Sequence, residues 1–469
     1  MSEVGKSAGP TRRSLLRGLA ATAVAAGAPA LLPARASAAR RTTHDVVVVG
    51  AGFAGATAAR ELARKGLRVL VLEARGRVGG RVWTSEFEGA RIELGGNWVD
   101  PMQTTVWREI EQQGVGMLAD QGAERVVFPS GNGFGFLAPE EAFGRQGELL
   151  ARFAERSREL FPDPLDPLAR ADLLRAPDAL TVLARLDEMG LSALDRKWLT
   201  GATGGLGGSS ARAAYTQFLH WWALCGHDAG LYYGINTYKP SGGLGSVLSA
   251  ILAQSRAEVR LRAPVASIAD DGRRVTVRTR AGSEHVAGAV VVAVPVNTWR
   301  CIDFAPGLPP EKLRAADQTI GVPNAKKFVV HLGEGFGNTY VHTPEGYPVD
   351  TLVPLQRTSR GWLAAGFSGD PALDVNDPAR VREAIRLVVP DAEVLAVRGQ
   401  DWGADPHSRG GWAFRRPGQL TGLLRPAQRP HGRISFATSD IASGWSGYVE
   451  GAMESGLTAA AQVATRVAA

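Results

Sequence analysis

The first strongly patterned stretch is Asp45 followed by four valines, Val46 to Val49, a β-branched run without polar alternation. Such a run suits a strand buried on both faces, the situation of a central strand in a parallel sheet. It leads directly into Gly-Ala-Gly-Phe-Ala-Gly at 50–55. Apolar and small residues then recur at helical spacing from about Ala54 to Lys65, and Gly66 supplies a stop. Arg68-Val69-Leu70-Val71-Leu72-Glu73 forms a second strand ending in an acid. Further on, Ala263-Pro264-Val265-Ala266-Ser267-Ile268 and Ala289-Val290-Val291-Val292-Ala293-Val294-Pro295 carry strand patterns. The order strand, glycines, helix, strand, acid predicts an α/β protein built on a Rossmann-like unit.

Each glycine of the motif has a task in that unit. Gly50 permits the tight turn, Gly52 allows the backbone to approach a pyrophosphate, and Gly55 lets helix and strand pack closely. Phe53 and Ala54 place the helix N-terminus, whose unpaired N–H groups and positive dipole end face the phosphates. Glu73 is placed to accept hydrogen bonds from an adenosine ribose. Gly204-Gly205-Leu206-Gly207-Gly208 lacks a preceding hydrophobic strand and is expected to be a loop. Gly242-Gly243-Leu244-Gly245 precedes a helical pattern (Val247, Leu248, Ile251, Leu252), which leaves open a second phosphate approach or a tight turn.

The chain has 469 residues, more than one core usually organises, so two packed domains are expected. Thr11-Arg12-Arg13-Ser14-Leu15-Leu16-Arg17 precedes an Ala/Gly-rich apolar stretch from Gly18 to Leu32, and Ala36-Ser37-Ala38 offers a cleavage site. Residues 1–38 thus look like a signal for the twin-arginine translocase, with export to the periplasm or beyond. The apolar stretch is too short and Ala-rich for stable membrane insertion. That segment holds Lys6, Arg12, Arg13, Arg17 and Arg35 against Glu3, a net of +4, so the remaining chain carries +7 − 4 = +3. The basic residues form no run suited to nucleic acid. Cys225 and Cys301 are left open as a pair or as free thiols. The histidines show no metal-ligand spacing, and there is no G-x-S-x-G elbow.

Up to Glu73 the pattern does not separate NAD from FAD. Its continuation, Glu73-Ala74-Arg75-Gly76-Arg77-Val78-Gly79-Gly80-Arg81, is followed by Glu93-Leu94-Gly95-Gly96-Asn97-Trp98-Val99 and, near the C-terminus, by Gly447-Tyr448-Val449-Glu450-Gly451-Ala452. These motifs resemble those of the flavin-containing monoamine oxidase family, in order and from Asp45 to the C-terminus. Phe436-Ala437-Thr438-Ser439-Asp440 departs from the family's usual F-A-G-x-E. Asp440 keeps the carboxylate, whereas Thr438 brings a side chain where Gly is usual. DVNDP, DWGADP and SDIASGW look most like the bacterial nicotine and pseudooxynicotine oxidases.

The resemblance implies an FAD-binding domain of the p-hydroxybenzoate hydroxylase or amine oxidase type, assembled from residues 42–100, 241–300 and 420–469. An α+β substrate-binding domain, 101–240 and 301–419, is inserted into it. It implies non-covalent FAD held by Gly50, Gly52, Phe53, Ala54 and Gly55, by Glu73, Ala74, Arg75, Gly80 and Arg81, by Gly95, Gly96, Asn97 and Trp98, and by Val265, Asp440, Tyr448 and Val449. Covalent flavin is not expected, because Gly410-Gly411 stand before Trp412 where a cysteinyl-flavin member carries Cys. The implied reaction moves a hydride equivalent from an amine α-carbon to flavin N5. The imine is hydrolysed to a carbonyl compound, and O2 takes up the electrons to give H2O2. Another electron acceptor, a desaturase-like reaction and an L-amino acid oxidase stay open, as does a homodimer.

The implied reaction site rests on three residues. A family lysine holds a water at flavin N5. Lys326 and Lys327 are adjacent on a predicted strand, so at most one faces the cofactor. The family spacing back from Phe336 selects Lys327, against two solvated lysines at a strand edge. Trp412 and Tyr448 are the candidate aromatic walls around the amine, offering an apolar slot and an electron-rich face. Trp221, Trp222, Tyr232 and Tyr233 fit a substrate entrance or, more commonly, a packed core.

Overall fold

The valine run is the centre of an eight-stranded sheet. The computed structural model describes residues 42–468, and the predicted export signal lies outside the described residues. Strand Thr42–Val49 runs parallel to Val69–Leu72 on one side and to Glu284–Val292 on the other. Val47 and Val49 enter one core cluster while Val46 and Val48 enter another on the opposite face. Burial of both faces explains why the sequence does not alternate. The sheet continues from Val69–Leu72 to Glu258–Arg260 and, beyond Glu284–Val292, through Val275–Thr279 and Val265–Asp270 to Asp303–Ala305; Ile434–Phe436 pairs with the far half of Glu284–Val292.

Helices Phe53–Arg64 and Val449–Ala468 cover one face, joining Ala58 and Ala59 to Ala459, Ala460 and Val463. A Cβ on Gly456 would stand 2.5 Å from the Ala54 carbonyl oxygen, so the two helices cross almost backbone to backbone. The chain's last helix thereby returns to the first glycine motif.

A second, mostly antiparallel sheet has seven strands, in the order Val394–Asp401, Lys326–Gly333, Gly361–Ser368, Thr351–Thr358, Thr339–His342, Arg125–Ser130, Gly133–Leu137. Helices between Pro139 and Gly234 pack beside it. Among them, every residue of Tyr215–Leu224 is buried. Lys326–Gly333 lies between two partners and is buried throughout. The alternative of lysines at a solvated strand edge is therefore incorrect: both are 3% exposed.

Gly242–Gly245 turns out to be a tight turn. Gly243 has φ +73° and caps helix Leu244–Ser255, where the Leu244 N–H donates to Glu93 Oε1 at 2.8 Å and the Gly245 N–H to Thr84 Oγ1 at 2.8 Å. A protein carboxylate already occupies the anion position at that helix end. The 204–208 cluster is a short 3-10 turn, Gly205–Gly207, following helix Ala193–Thr203. Cys225 and Cys301 are both free thiols. No helix among the described residues is long and apolar enough to cross a membrane.

Candidate active site

One chamber of about 580 Å³ extends from the first glycine motif to a group of aromatic side chains between the second sheet and the helices. At the glycine end, the three motif positions differ in what they tolerate. Gly50 has φ +106°, and a Cβ there would collide with the Ala293 carbonyl. A Cβ on Gly55 would collide with the Gly50 carbonyl. At Gly52 the nearest protein atom would be 3.7 Å away, so the protein itself does not demand glycine there. What a side chain at Gly52 would fill is the chamber, directly at the N-terminus of helix Phe53–Arg64, whose cap supplies no side-chain acceptor. This is a cradle for the phosphates of a bound group. Glu73, 3% exposed, holds its place by accepting the Ala51 N–H on Oε2 and the Arg75 N–H on Oε1, each at 2.8 Å. Asn97 Nδ2 is buried beside the chamber without a protein partner. A cradle open only toward the cavity and an unpaired buried donor fit a dinucleotide cofactor.

The arginines of the extended motif tie this end together. Arg75 Nη2 donates to Asp405 Oδ1 at 2.6 Å and Ser408 Oγ at 2.8 Å. Arg81 Nη1 donates to the Gly411 carbonyl at 2.7 Å and Nη2 to Ser439 Oγ at 2.9 Å, while Asp440 Oδ1 lies 2.7 Å from Nη2. Asp440 also accepts the Val296 N–H at 3.0 Å. Sequence segments more than 350 residues apart are thus fastened through one guanidinium. Thr438 takes a structural part here: its hydroxyl accepts from Arg81 Nη2 at 3.3 Å.

Further along the wall, the alternation of strand Lys326–Gly333 separates its two lysines. Lys326 Nζ donates to the carbonyls of Asp370 at 2.6 Å and Pro371 at 3.0 Å, away from the chamber. Lys327 borders the chamber, donates to the Gly95 carbonyl at 2.8 Å, and sits 5.3 Å from the Trp98 ring and 5.4 Å from the Phe367 ring. Burial lowers the Lys327 pKa, partly offset by the negative charge of Glu93; burial likewise raises Glu93. Trp412 faces the same space, its Nε1 donating to the Leu206 carbonyl at 2.9 Å and its ring edge-on to Phe367. Tyr448 stands edge-on to Trp221 and Trp445, with its hydroxyl pKa pushed up by burial.

Of the residues named from sequence, Gly50, Gly52, Phe53, Ala54, Glu73, Ala74, Arg75, Gly80, Arg81, Gly95, Gly96, Asn97, Trp98, Val265, Lys327, Trp412, Tyr448 and Val449 border this one chamber. Gly55 and Asp440 do not. Gly55 is consumed by the helix–turn contact, and Asp440 stands behind Arg81, so neither presents a surface to the cavity. Trp221, Tyr232 and Tyr233 reach the chamber, whereas Trp222 belongs only to the core. Phe367, Gln146 and His342 also line it and went unnamed. A Tyr340-x-His342 pattern in a strand carries no signal that separates a cavity face from a packed one.

A dinucleotide cradle joined to an aromatic-walled chamber defines an oxidoreductase that houses its cofactor and substrate together. The chain belongs to the family described as flavin containing amine oxidoreductase, which matches residues 53–464. It is 34% identical to a pseudooxynicotine dehydrogenase of Pseudomonas sp, over 98% of this chain and 94% of that one. It is 33% identical to a nicotine dehydrogenase of Pseudomonas putida, over 90% and 88% of the two chains. In fold it is similar to a redesigned putrescine oxidase (TM-score 0.79, 23% identity, 90% of this chain and 99% of that one) and to cyclohexylamine oxidase from Brevibacterium oxydans (TM-score 0.77, 22% identity, 91% and 100%). The protein is a flavin-dependent enzyme of amine oxidation.

Proposed function

We propose that the protein holds FAD without a covalent link and oxidises a small, largely apolar amine, passing the electrons to O2. The observation that carries this is the single chamber in which the Gly52 cradle, Lys327 and the aromatic pair Trp412 and Tyr448 all open. When bound, the flavin accepts the hydride equivalent lost from the amine α-carbon. The residues supply the rest. A protonated amine does not release hydride readily, and an apolar slot between Trp412 and Tyr448 favours the neutral base by desolvation. Trp412 is fixed by its bond to Leu206, so the slot keeps its shape without substrate. Lys327, held by Gly95 O, borders the chamber, a position suited to orienting a water for the reaction with O2. Glycines at 410 and 411 support a non-covalent cofactor, since no thiol precedes Trp412.

A second reading of the electron acceptor has its own support: the two relatives at 34% and 33% identity are named dehydrogenases. Reduced holoenzyme mixed with O2, and separately with a quinone or cytochrome, separates the two. Fast stoichiometric H2O2 supports O2; slow reaction with O2 beside fast reaction with the other acceptor replaces it.

Export through the twin-arginine route belongs to the same proposal. It suits a protein that encloses its cofactor as it folds. Replacing Arg12 and Arg13 by Lys should retain active holoenzyme in the cytosol. Normal export of that variant would contradict it.

A further inference from the structure

Four tryptophans border the chamber, and they satisfy their indole N–H groups in two ways. Trp221, Trp402 and Trp412 donate to backbone carbonyls, of Ser446, Leu94 and Leu206. Trp98 donates instead to a carboxylate, with its Nε1 2.6 Å from Asp120 Oδ2. The other oxygen of that carboxylate, Oδ1, pairs with Lys239 Nζ. Neither Asp120 nor Lys239 borders the chamber, and their side chains are 9% and 20% exposed, so solvent screens the couple only in part. Lys327 Nζ lies 5.3 Å from the Trp98 ring. A carboxylate acceptor strengthens the indole bond and enriches the ring in electrons, which improves its face for a cation.

Backbone pairing fixes this arrangement. Strand Met117–Ala119 runs antiparallel to Tyr238–Pro240, with Leu118 opposite Lys239. The Asp120 N–H donates to the Thr237 carbonyl at 2.8 Å, and the Val99 N–H to the Tyr238 carbonyl at 2.9 Å. The segments carrying Trp98, Asp120 and Lys239 are thus tied to one another directly. The charged groups that bear on Lys327 are Glu93, Asp120 and Lys239, and its uncharged neighbours are the Gly95 carbonyl and the Trp98 and Phe367 rings. Burial lowers Lys327 from 10.5 to about 7; the negative charges of Glu93 and Asp120 raise it and the positive charge of Lys239 lowers it further. A side chain poised there changes its charge in response to small changes of field.

We propose that Asp120 and Lys239 are positioning residues that act on Lys327 through the Trp98 indole, Asp120 strengthening the hold of the chamber wall on the Lys327 ammonium and Lys239 weakening it. The inference rests on the reading that Lys327 orients a water for the reaction with O2, and it adds a pair of opposed charges behind the wall that tunes that lysine. Asp120→Asn keeps an acceptor for the Trp98 N–H and removes the negative charge. Lys239→Met removes the opposing positive charge and leaves the indole bond in place. The two variants should therefore move Lys327 in opposite directions, which a merely structural role would not do.

The test uses holoenzyme with oxidised flavin, isotope-labelled at the lysine side chains and titrated by NMR. The chain has only seven lysines, and the Lys327 resonance is the one that disappears in Lys327→Met. Charges separated by roughly the length of an indole shift one another by about half a unit to one unit. The Lys327 midpoint should fall by that amount in Asp120→Asn and rise by it in Lys239→Met. The pH midpoint of reoxidation by O2, followed by stopped flow, should move with it in both variants. Titration midpoints that stay in place, or move the same way in both variants, would overturn the proposal even if Lys327→Met itself slows reoxidation. Opposite shifts beside unimpaired reoxidation in Lys327→Met would support the charge couple and refute the underlying reading of Lys327. Should Asp120→Asn lose flavin or melt far below the wild type, Lys239→Met decides alone: a risen midpoint supports the couple, and an unchanged or lowered one refutes it.

Discussion

Replacing Lys327 by Met removes one polar group from the chamber wall and nothing from the cradle. Lys327 Nζ donates to the Gly95 carbonyl at 2.8 Å, and the Trp98 and Phe367 rings flank it at 5.3 and 5.4 Å. The side chain borders the cavity. Loss of one positioned donor at a reacting centre commonly slows a step by about 10²–10³-fold, or roughly 3–4 kcal/mol. The step affected should be reoxidation by O2, because the aromatic walls that hold the amine are untouched. Lys326→Met is the control. Its ammonium holds the Asp370 and Pro371 carbonyls on the other face, so that variant should lose about 1–3 kcal/mol of stability from the unmet carbonyls while both half-reactions stay within about twofold. Stopped-flow absorbance of the reductive and oxidative half-reactions, with thermal melts of both variants, decides. Mild and equal kinetic effects would refute a role for Lys327. A large kinetic effect confined to Lys326 would contradict the face assignment that the strand register gives.

Gly52→Val should yield a folded protein without flavin, since its Cβ would stand 3.7 Å from the nearest protein atom while the side chain enters the cradle; Gly55→Ala should fail to fold, because its Cβ strikes the Gly50 carbonyl. Flavin absorbance and melting temperature separate the two outcomes. Acid precipitation should release all FAD from the wild-type polypeptide, and flavin remaining with the pellet would contradict non-covalent binding. Lys312 is 1% exposed, donates to the Ala427 carbonyl at 2.6 Å, and is lowered by burial from 10.5 to about 7. Between those values the unfolded chain holds a proton that the folded one has lost, so for this group stability rises with pH through the window and its full cost applies below about pH 7. The ceiling is (10.5 − 7) × 1.36, about 5 kcal/mol, and the lost hydrogen bond and ring contact offset part of it; Lys312→Met should thus gain roughly 1–3 kcal/mol below pH 7, fading toward pH 10. Equal melting temperatures of the two proteins at pH 6 would contradict this.

The glycine motif was legible because its constraints are local. The strand Thr42–Val49, the helix Phe53–Arg64 and Glu73 lie within two or three residues of where pattern and turn chemistry put them, and all depend on neighbours in sequence. For the lysines, strand alternation says only that at most one of the pair faces the cofactor, and the family spacing back from Phe336 was needed to select Lys327. The helix-covered wall was not. Tyr215–Leu224 is buried on every side, so no polar stripe distinguishes Trp221, which meets the chamber, from Trp222, which meets the core. His342 is told apart from a packed core histidine only by the Trp198 carbonyl, which arrives from a segment 144 residues away. Gly242–Gly245 illustrates the same limit: whether it cradles a phosphate depended on Glu93, 151 residues distant from Leu244, already capping that helix.

The most direct test is anaerobic mixing of purified holoenzyme with a panel of amines that includes diamines, nicotine, pseudooxynicotine, tyramine and amino acids, following flavin absorbance. Loss of the oxidised flavin band with at least one amine, together with one equivalent of carbonyl product, is the predicted result. A flavin band unchanged by every amine, in a protein that dithionite still reduces, would contradict it.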